Sequence, residues 1–308
     1  MITFPKLTDC EILQKTQVPA EGKLNVFLDT DTYNEIDDQF AILYAMLSPE
    51  RICLKGINAA LFFNGRSDGP ADGMEKSYQE ILKIMKFLGK DPTGFVYRGC
   101  TQPLADRNTP RESEACDAII AEAMKTPEGQ QLYVAGIGAC TNIASAIMKA
   151  PEIIRRITVV WLGGNTFDWP ESAEFNLSQD ILAGSVLFQS GVPLIQAPAF
   201  GVTGFLTTTV PELEACLGGV NPICDYLVEN VKSYSGDHFA WSKAIWDVGA
   251  IGYLVNPAWA ESKTCPAPLI SETGRYSFDP RRHLMRSLLS MDRDAIFKDM
   301  FQKLREYK

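Results

Sequence analysis

Short apolar runs rich in β-branched residues alternate with amphipathic helical stretches along the first two thirds of the chain. Six runs are predicted strands: LNVFLD, RICLKGINAALFF, GFVYRG, QLYVAGIG, ITVVWLGG and VPLIQAP. The segments between them repeat apolar residues at helical spacing. This alternation predicts an α/β fold with a mostly parallel, Rossmann-like open sheet flanked by helices. After Pro198 the pattern becomes more helical, and a last helix is predicted near the C-terminus.

The chain shows no internal repeat, low-complexity tract or convincing linker. We therefore expect a single domain over residues 24–308, preceded by an N-terminal extension, residues 1–23. The net charge of −9 argues against a nucleic-acid polymer as partner, because phosphate binding needs a basic surface. A neutral small molecule remains compatible with this charge.

The first residues lack the apolar core of a signal peptide, and no uncharged apolar run reaches membrane-spanning length. The eight cysteines are scattered and form no C-x-x-C pair, a pattern typical of reduced core cysteines. Together these features predict a cytoplasmic protein without membrane association.

Five acidic residues lie close together between the first predicted strand and the next helix: Asp29, Asp31, Glu35, Asp37 and Asp38. Asp29 and Asp31 are two apart at a strand end, so their side chains can share a face. Asp37 and Asp38 open the helix, whose dipole favours acidic residues, so helix capping is an alternative for that pair. Capping does not explain the other two aspartates. Converging carboxylates raise one another's pKa, which predicts a hard cation such as Ca²⁺ or Mg²⁺.

Two other cation-binding patterns fit this stretch less well. An EF-hand loop fails, because Glu35 and Phe40 occupy the positions that need Gly and Glu. A phosphatase of the haloacid dehalogenase type also begins with a strand ending in D-x-D. Here Tyr33 stands where that class has Thr or Val. A metal-dependent phosphatase therefore stays open as an alternative.

The stretch DTDTYNEIDDQFAI resembles the signature of the nucleoside hydrolases, the inosine–uridine-preferring nucleoside N-ribohydrolases. Three further segments resemble that family in the family's order: GIGACTNIASAIMKAPEIIRRITVVWLGGN, AEFNLSQDILAGSVLFQSGVPL and WDVGAIGYLVNP. Together they span about residues 24 to 306. The resemblance implies a nucleoside hydrolase fold and hydrolysis of a small-molecule ribonucleoside to ribose and free base. We also expect a homodimer or homotetramer.

The resemblance implies a Ca²⁺ ion at the bottom of the pocket. Asp31, Asp38 and Asp247 match its carboxylate ligands, and Thr141 matches a residue that offers its backbone carbonyl. Asp31 also matches the general base that takes a proton from the attacking water. Thr141 and Asp247 precede helical patterns, so each is also a candidate helix N-cap.

Four residues match, or are expected to act as, ribose-hydroxyl ligands: Asp37, Asn64, Glu174 and Asn176. The match of Asn64 is less direct, because LFFNGRSDG stands where the family usually has Val-Gly-Asn. The AEFN segment that carries Glu174 and Asn176 has a surface turn as its alternative. The turn DTDTYNEIDD is also two residues longer than the common family pattern, which predicts a remodelled loop.

The leaving-group acid has no direct match in the late segment. The family often has a histidine directly before the late aspartate, and here that position is Trp246. His238 is a candidate acid in a nearby segment, whereas His283 lies in DPRRHLMRSLL, a predicted edge strand, and is expected to be structural. Purine-specific members stack tryptophans on the base instead of using a histidine acid. Trp241 and Trp246 flank the late segment and are candidates for this role, with ordinary core packing as the alternative. We therefore expect purine ribosides to be favoured.

A non-enzyme alternative also stays open. A ribose- or nucleoside-binding descendant would keep the pocket and bind ribose without releasing it from a nucleoside. A phosphatase would instead release phosphate from a phosphomonoester and should prefer Mg²⁺.

Overall fold

A computed structural model of the protein describes residues 2–127 and 129–308. In this part of the chain the strands are β1 (Leu24–Thr30), β2 (Ile52–Ala59), β3 (Val96–Tyr97), β4 (Leu132–Gly136), β5 (Ile157–Leu162), β6 (Leu194–Ala197), β7 (Thr207–Thr208), β8 (Lys243–Ala244), β9 (Ala260–Pro266), β10 (Leu269–Ile270), β11 (Tyr276–Ser277) and β12 (Leu284–Met291). The α-helices are α1 (Asp9–Lys15), α2 (Asp38–Met46), α3 (Pro70–Phe87), α4 (Glu114–Lys125), α5 (Thr141–Lys149), α6 (Phe175–Gln179), α7 (Ile181–Gln189), α8 (Val210–Leu217), α9 (Pro222–Tyr234), α10 (Val248–Val255) and α11 (Arg293–Glu306).

Eight strands form one open sheet in the order β3-β2-β1-β4-β5-β6-β12-β9. All neighbouring pairs are parallel except β12 and β9, which are antiparallel. The predicted α/β class with a mostly parallel open sheet is therefore confirmed. Strand order reverses between β1 and β4, and ligands of open α/β sheets bind at the carboxyl ends of strands beside such a reversal. The acidic stretch that follows β1 lies at this position.

The sheet contains two strands that the sequence did not predict correctly. The segment DPRRHLMRSLL was expected at an edge, but its strand β12 lies between β6 and β9, so that prediction was wrong. The two edge strands are β3 and β9, and the residues of β9 are exposed or half-buried. Because an edge strand buries little surface, its sequence AESKTCP lacks the apolar run that marks the central strands. His283 directly precedes β12.

The helices nearest the acidic stretch are almost entirely buried. Every residue of α10 except Val255 is buried, and most of α2 and α5 is buried as well. Helix α10 packs against α2 and the central strands β4 and β5. The three helices begin at Asp38, Thr141 and Val248, so three of the four predicted metal ligands lie at or next to helix N-termini. The fourth, Asp31, directly follows β1.

The N-terminal segment is folded onto the sheet. Helix α1 begins with a capping box formed by Thr8 and Glu11, and it packs against β12. Arg286 of β12 donates a 2.8 Å hydrogen bond to the carbonyl of Thr16. The domain boundary at residue 24 stays a prediction. In the described part of the chain, no helix is long and apolar enough to cross a membrane.

Candidate active site

A cavity opens at the carboxyl ends of β1, β4, β5 and β6, where the strand order predicts a ligand site. One side of it is polar and acidic, and the other side is apolar and partly aromatic. Its lining residues are Asp31, Asn34, Glu35, Asp37, Ile137, Leu162, Glu174, Phe175, Asn176, Ala199, Phe200, Trp246 and Asp247. Six of the site residues predicted from the sequence are among them: Asp31, Asp37, Glu174, Asn176, Trp246 and Asp247.

Three buried aspartates form the acidic side. Asp37, Asp38 and Asp247 each offer a carboxylate oxygen, and these atoms all lie within 4.8 Å of one another. Asp37 and Asp247 hold the N-cap positions of α2 and α10, yet neither side chain makes a capping hydrogen bond. The capping alternative therefore does not explain these two side chains. Residues from distant parts of the sequence meet here because α10 packs on α2.

Asp31 is fully buried beside this cluster but lies outside the group of three. Its Oδ2 atom has no hydrogen-bond partner among the described residues. Asp38 is held by its neighbour on β1, because the hydroxyl of Thr30 donates to the Oδ1 atom of Asp38. The orphaned oxygen of Asp31 is a feature that a cation or a bound water would explain.

The carboxyl groups of the cluster are difficult to ionise together. Burial, followed by the charge of Asp37, raises the pKa of Asp38 to about 8. Burial raises the pKa of Asp37 to about 6, against the opposing effect of the Lys243 ammonium group. Burial and the neighbouring carboxylates also raise the pKa values of Asp31 and Asp247 well above their usual range. A hard divalent cation would offset this repulsion, so the donor set fits such an ion.

Thr141 is the first residue of α5 rather than its cap. Cys140 holds the N-cap position, so the N-cap alternative for Thr141 was wrong. The hydroxyl of Thr141 donates a buried 2.7 Å hydrogen bond to the Oδ2 atom of Asp180. Metal binding through the Thr141 carbonyl stays a prediction.

Glu174 is buried at the N-cap of α6, and its carboxylate accepts three backbone N–H groups. These come from Gly164 at 2.7 Å, Asn176 at 2.7 Å and Leu177 at 2.8 Å. Burial raises the pKa of Glu174 to about 7, although the three donors act in the opposite direction. The surface-turn alternative for AEFN was therefore wrong.

The Asn176 carboxamide has its donors engaged with the protein. Its Nδ2 atom donates to the carbonyl of Leu162 at 3.0 Å and to that of Ile137 at 3.3 Å. Both bonds fix the orientation of the amide, so its Oδ1 atom is the end left for a ligand.

Four residues predicted for the site do not line the cavity: Asp38 and Thr141, described above, and Asn64 and His238. Asn64 donates through Nδ2 to the Oδ1 atom of Asn34 at 2.6 Å, and Asn34 is the one that lines the cavity. The Nε2 atom of His238 lies 3.0 Å from the carbonyl oxygen of Lys232, and its ring packs 5.7 Å from that of Trp241. The roles assigned to Asn64 and His238 stay predictions.

The site residues predicted from the sequence did not include seven of the lining residues, among them Asn34, Glu35 and Phe200. Asn34 and Glu35 lie in the turn that is two residues longer than the family signature, and this extra length was the available signal for Asn34. Glu35 was noted as one of the five clustered acidic residues but was given no role in the site. Glu35 pairs with the ammonium group of Lys243 and accepts a 3.2 Å hydrogen bond from the Tyr234 hydroxyl. Phe200 follows β6, and its position just after a strand could have identified it.

Known proteins match this fold and sequence. The sequence model of the inosine-uridine preferring nucleoside hydrolases matches residues 26–298, so the chain belongs to that family and is an enzyme of the glycosidase class. The non-specific ribonucleoside hydrolase RihC of Escherichia coli is 26% identical over 268 residues, which cover 79% of this chain and 83% of that protein. The pyrimidine-specific ribonucleoside hydrolase RihA of Citrobacter koseri is 28% identical over 198 residues, covering 56% and 59%.

Solved structures share the architecture. A purine-preferring ribonucleoside hydrolase from Gardnerella vaginalis superposes with a TM-score of 0.72 at 23% identity, covering 91% of this chain and 98% of that chain. An inosine-guanosine nucleoside hydrolase superposes with a TM-score of 0.73 at 15% identity, covering 93% and 100%. At these identities the likeness establishes the nucleoside hydrolase fold alone.

Proposed function

We propose that the protein is a Ca²⁺-dependent N-ribohydrolase, which converts a ribonucleoside and water into ribose and free base and favours purine ribosides. One observation carries the proposal. The buried carboxylates of Asp37 and Asp38 meet that of Asp247 at one cavity. Glu174 and Asn176 line the same cavity. Family membership supports the reaction class.

The metal assignment uses four residues. We assign Asp31, Asp38, Asp247 and the carbonyl of Thr141 as ligands of one Ca²⁺ ion. The orphaned oxygen of Asp31 and the raised pKa values of the cluster support a hard cation with oxygen ligands. When bound, the ion would lower the pKa of a water molecule and hold it near the sugar.

Asp31 is the proposed general base. It lines the cavity, and its Oδ2 atom is free to accept a proton from the attacking water. The backbone around Gly138 leaves just enough space for the Asp31 side chain, because a Cβ atom there would lie 2.9 Å from the Asp31 Cγ. This packing holds the base in one position.

The sugar would be held by Asp37, Glu174 and Asn176. Cleavage of a glycosidic bond passes through an oxocarbenium-like transition state, which nearby negative charge stabilises. The carboxylates of Asp37 and Glu174 can accept hydrogen bonds from ribose hydroxyls, and so can the Oδ1 atom of Asn176. Orientation of the sugar by fixed groups lowers the barrier further.

The purine preference rests on the aromatic side of the cavity. Phe200 packs edge-on to Trp246 at 5.2 Å between ring centroids, and it stacks on Trp169 at 5.4 Å with an angle of 13° between the planes. Phe200 lines the cavity and is 43% exposed, so its ring is accessible to a base. A purine offers more stacking surface than a pyrimidine, and its imidazole nitrogen can accept a proton as the bond breaks.

A substrate panel tests the proposal. Ribose and phosphate release would be measured for inosine, adenosine, uridine and p-nitrophenyl phosphate, with wild type and Asp31→Asn. We expect ribose from the nucleosides only, and a loss of about 10⁴-fold or more in Asp31→Asn, because this side chain is both base and metal ligand. Asp294→Asn, at a side chain that is 88% exposed, serves as the control.

Other outcomes would replace the proposal. Phosphate released from the phosphomonoester would favour the phosphatase alternative. Saturable ribose binding with no ribose release from any nucleoside would favour the binding protein. An Asp31→Asn variant with more than a tenth of the wild-type kcat would place the general base elsewhere.

A further inference from the structure

The long turn between Asp31 and Asp37 contributes its own side chains to the cavity. Asn34 is 9% exposed and lines the cavity beside Glu35. The turn is two residues longer than the family signature that the sequence resembles.

A chain of hydrogen bonds fixes the orientation of the Asn34 carboxamide. The backbone N–H of Arg66 donates to Asn64 Oδ1 at 2.8 Å, so the Nδ2 atom of Asn64 faces Asn34. That Nδ2 atom donates to Asn34 Oδ1 at 2.6 Å and lies 3.3 Å from the Asn34 carbonyl oxygen. With its oxygen engaged, Asn34 has its Nδ2 atom left, and this atom has no hydrogen-bond partner within residues 2–127 and 129–308.

Arg66 also holds the turn itself. Its guanidinium group donates a 2.9 Å hydrogen bond to the carbonyl of Glu35 and lies 4.5 Å from the ring centroid of Tyr33. The position of Asn34 is therefore set by contacts on both sides. A side chain held this way loses little conformational entropy when it binds a ligand.

The cavity is rich in acceptors and poor in donors. Its carboxylates only accept when ionised, and the Nδ2 atom of Asn176 is already engaged with two carbonyl groups. The remaining side-chain donors that line the cavity are Asn34 and the indole of Trp246 on the aromatic side. A sugar hydroxyl donates one hydrogen bond and can also accept, so full satisfaction requires a donor on the polar side.

We propose that Asn34 is a specificity-determining residue that donates a hydrogen bond through Nδ2 to the 2′- or 3′-hydroxyl of the ribose, and that Asn64 is the positioning residue that orients it. The inference rests on the proposed function, because it assumes a ribosyl substrate. It assigns recognition of the hydroxyl to the long turn between Asp31 and Asp37. Asn64 then acts through Asn34 and does not contact the substrate.

The test compares kcat/KM for inosine, 2′-deoxyinosine and 3′-deoxyinosine in wild type, Asn34→Ala and Asn34→Asp. Asn34→Asp keeps an oxygen for the Asn64 donor but removes the N–H group. We expect both variants to lose about tenfold or more on inosine, because a buried hydroxyl loses its donor. On the deoxynucleoside that lacks the contacted hydroxyl, each loss should be less than about threefold. For a deoxynucleoside that is not cleaved, its inhibition constant against inosine replaces kcat/KM.

Asn64→Asp tests the positioning role. Its carboxylate would accept from Asn34 Nδ2 and turn the Asn34 oxygen toward the cavity, so the same selective loss is expected. Asn108→Ala, at an exposed asparagine that does not line the cavity, is the matched control and should stay within about twofold. Thermal melting checks that each variant is folded.

Equal losses on all three substrates, or full activity in Asn34→Asp, would overturn the inference. If wild type cleaved no nucleoside, the proposed function would fail separately. The comparison would then use calorimetric binding of ribose and 2-deoxyribose. An Asn34→Asp variant that bound ribose as tightly as wild type would overturn the inference in that case.

Discussion

Gly138 packs directly against the Asp31 carboxylate: a Cβ atom at position 138 would lie 2.9 Å from Asp31 Cγ and 3.0 Å from the Asp31 backbone nitrogen. Backbone and a buried carboxylate cannot move away easily, so Gly138→Ala should displace Asp31. Because a displacement of about 1 Å at a reacting group can cost about 10²-fold, we expect kcat for inosine to fall by about that factor.

The matched control is Gly236→Ala, since the added Cβ atom there would have no neighbour within 4 Å. It should keep nearly all of the wild-type rate. A fully active Gly138→Ala variant would show that the position of Asp31 is not critical.

Phe200 should govern the preference for purines. Stacking of a base on an aromatic ring contributes about 1–3 kcal/mol, so Phe200→Leu should lower kcat/KM for inosine about tenfold. The loss on uridine should be smaller, because a pyrimidine overlaps less with the ring. Phe87→Leu, at a 37% exposed ring that does not line the cavity, should leave the inosine-to-uridine ratio unchanged. An unchanged ratio in Phe200→Leu would argue against a base-stacking role.

His238 was assigned from the sequence as a candidate leaving-group acid. His238 lies outside the cavity, so we expect the nucleobase to leave without protonation by this residue. The His238→Ala variant should therefore retain kcat within about threefold on inosine and p-nitrophenyl riboside. Nitrophenolate leaves without a proton, and it therefore reports on steps other than leaving-group protonation. A loss of tenfold or more confined to inosine would support the sequence-based assignment.

Removal of the metal should destabilise the protein most at high pH. In the metal-free fold the pKa of Asp37 is raised to about 6 and that of Asp38 to about 8, whereas unfolded aspartates titrate near about 4. Between these values the folded chain binds more protons than the unfolded chain, so stability falls as pH rises from about 4 to about 8. At high pH the carboxyl groups of the cluster are ionised and repel one another, and a bound cation would offset this repulsion.

Thermal melting of chelated protein with and without Ca²⁺ measures this effect. At about one hundred times Kd, the ion should raise Tm by about 5 °C at pH 8 and by less at pH 5. The Asp247→Asn variant should lose most of the shift. An equal shift at both pH values would contradict the role of the buried carboxylates in binding the ion.

The sequence was sufficient for the first six strands. Five of them lie inside the sheet and carry continuous apolar runs, and the sixth, the short edge strand β3, lies within the predicted strand GFVYRG. It was also sufficient for six of the cavity-lining residues, since these follow strands or open helices in recognisable motifs. It misplaced β12 and did not reveal the edge strand β9, whose exposed side chains leave no apolar signature.

Side-chain contacts between distant segments could not be predicted from the sequence either. Asn64 matched a ligand position along the chain, but only the folded turn shows that Asn34 lies between it and the cavity. The hydroxyl of Thr141 pairs with Asp180, a contact across 39 positions that no local pattern encodes. Glu35 likewise meets Lys243 through tertiary packing.

The most direct test of the account is ribose release from inosine by protein whose metal content is measured in parallel. Wild type, stripped by chelation until metal analysis finds no divalent ion, should lose essentially all activity. Stepwise return of Ca²⁺ should restore it in proportion to occupancy, reaching the full rate at one ion per chain. A metal-free protein that still released ribose at the wild-type rate would contradict the account.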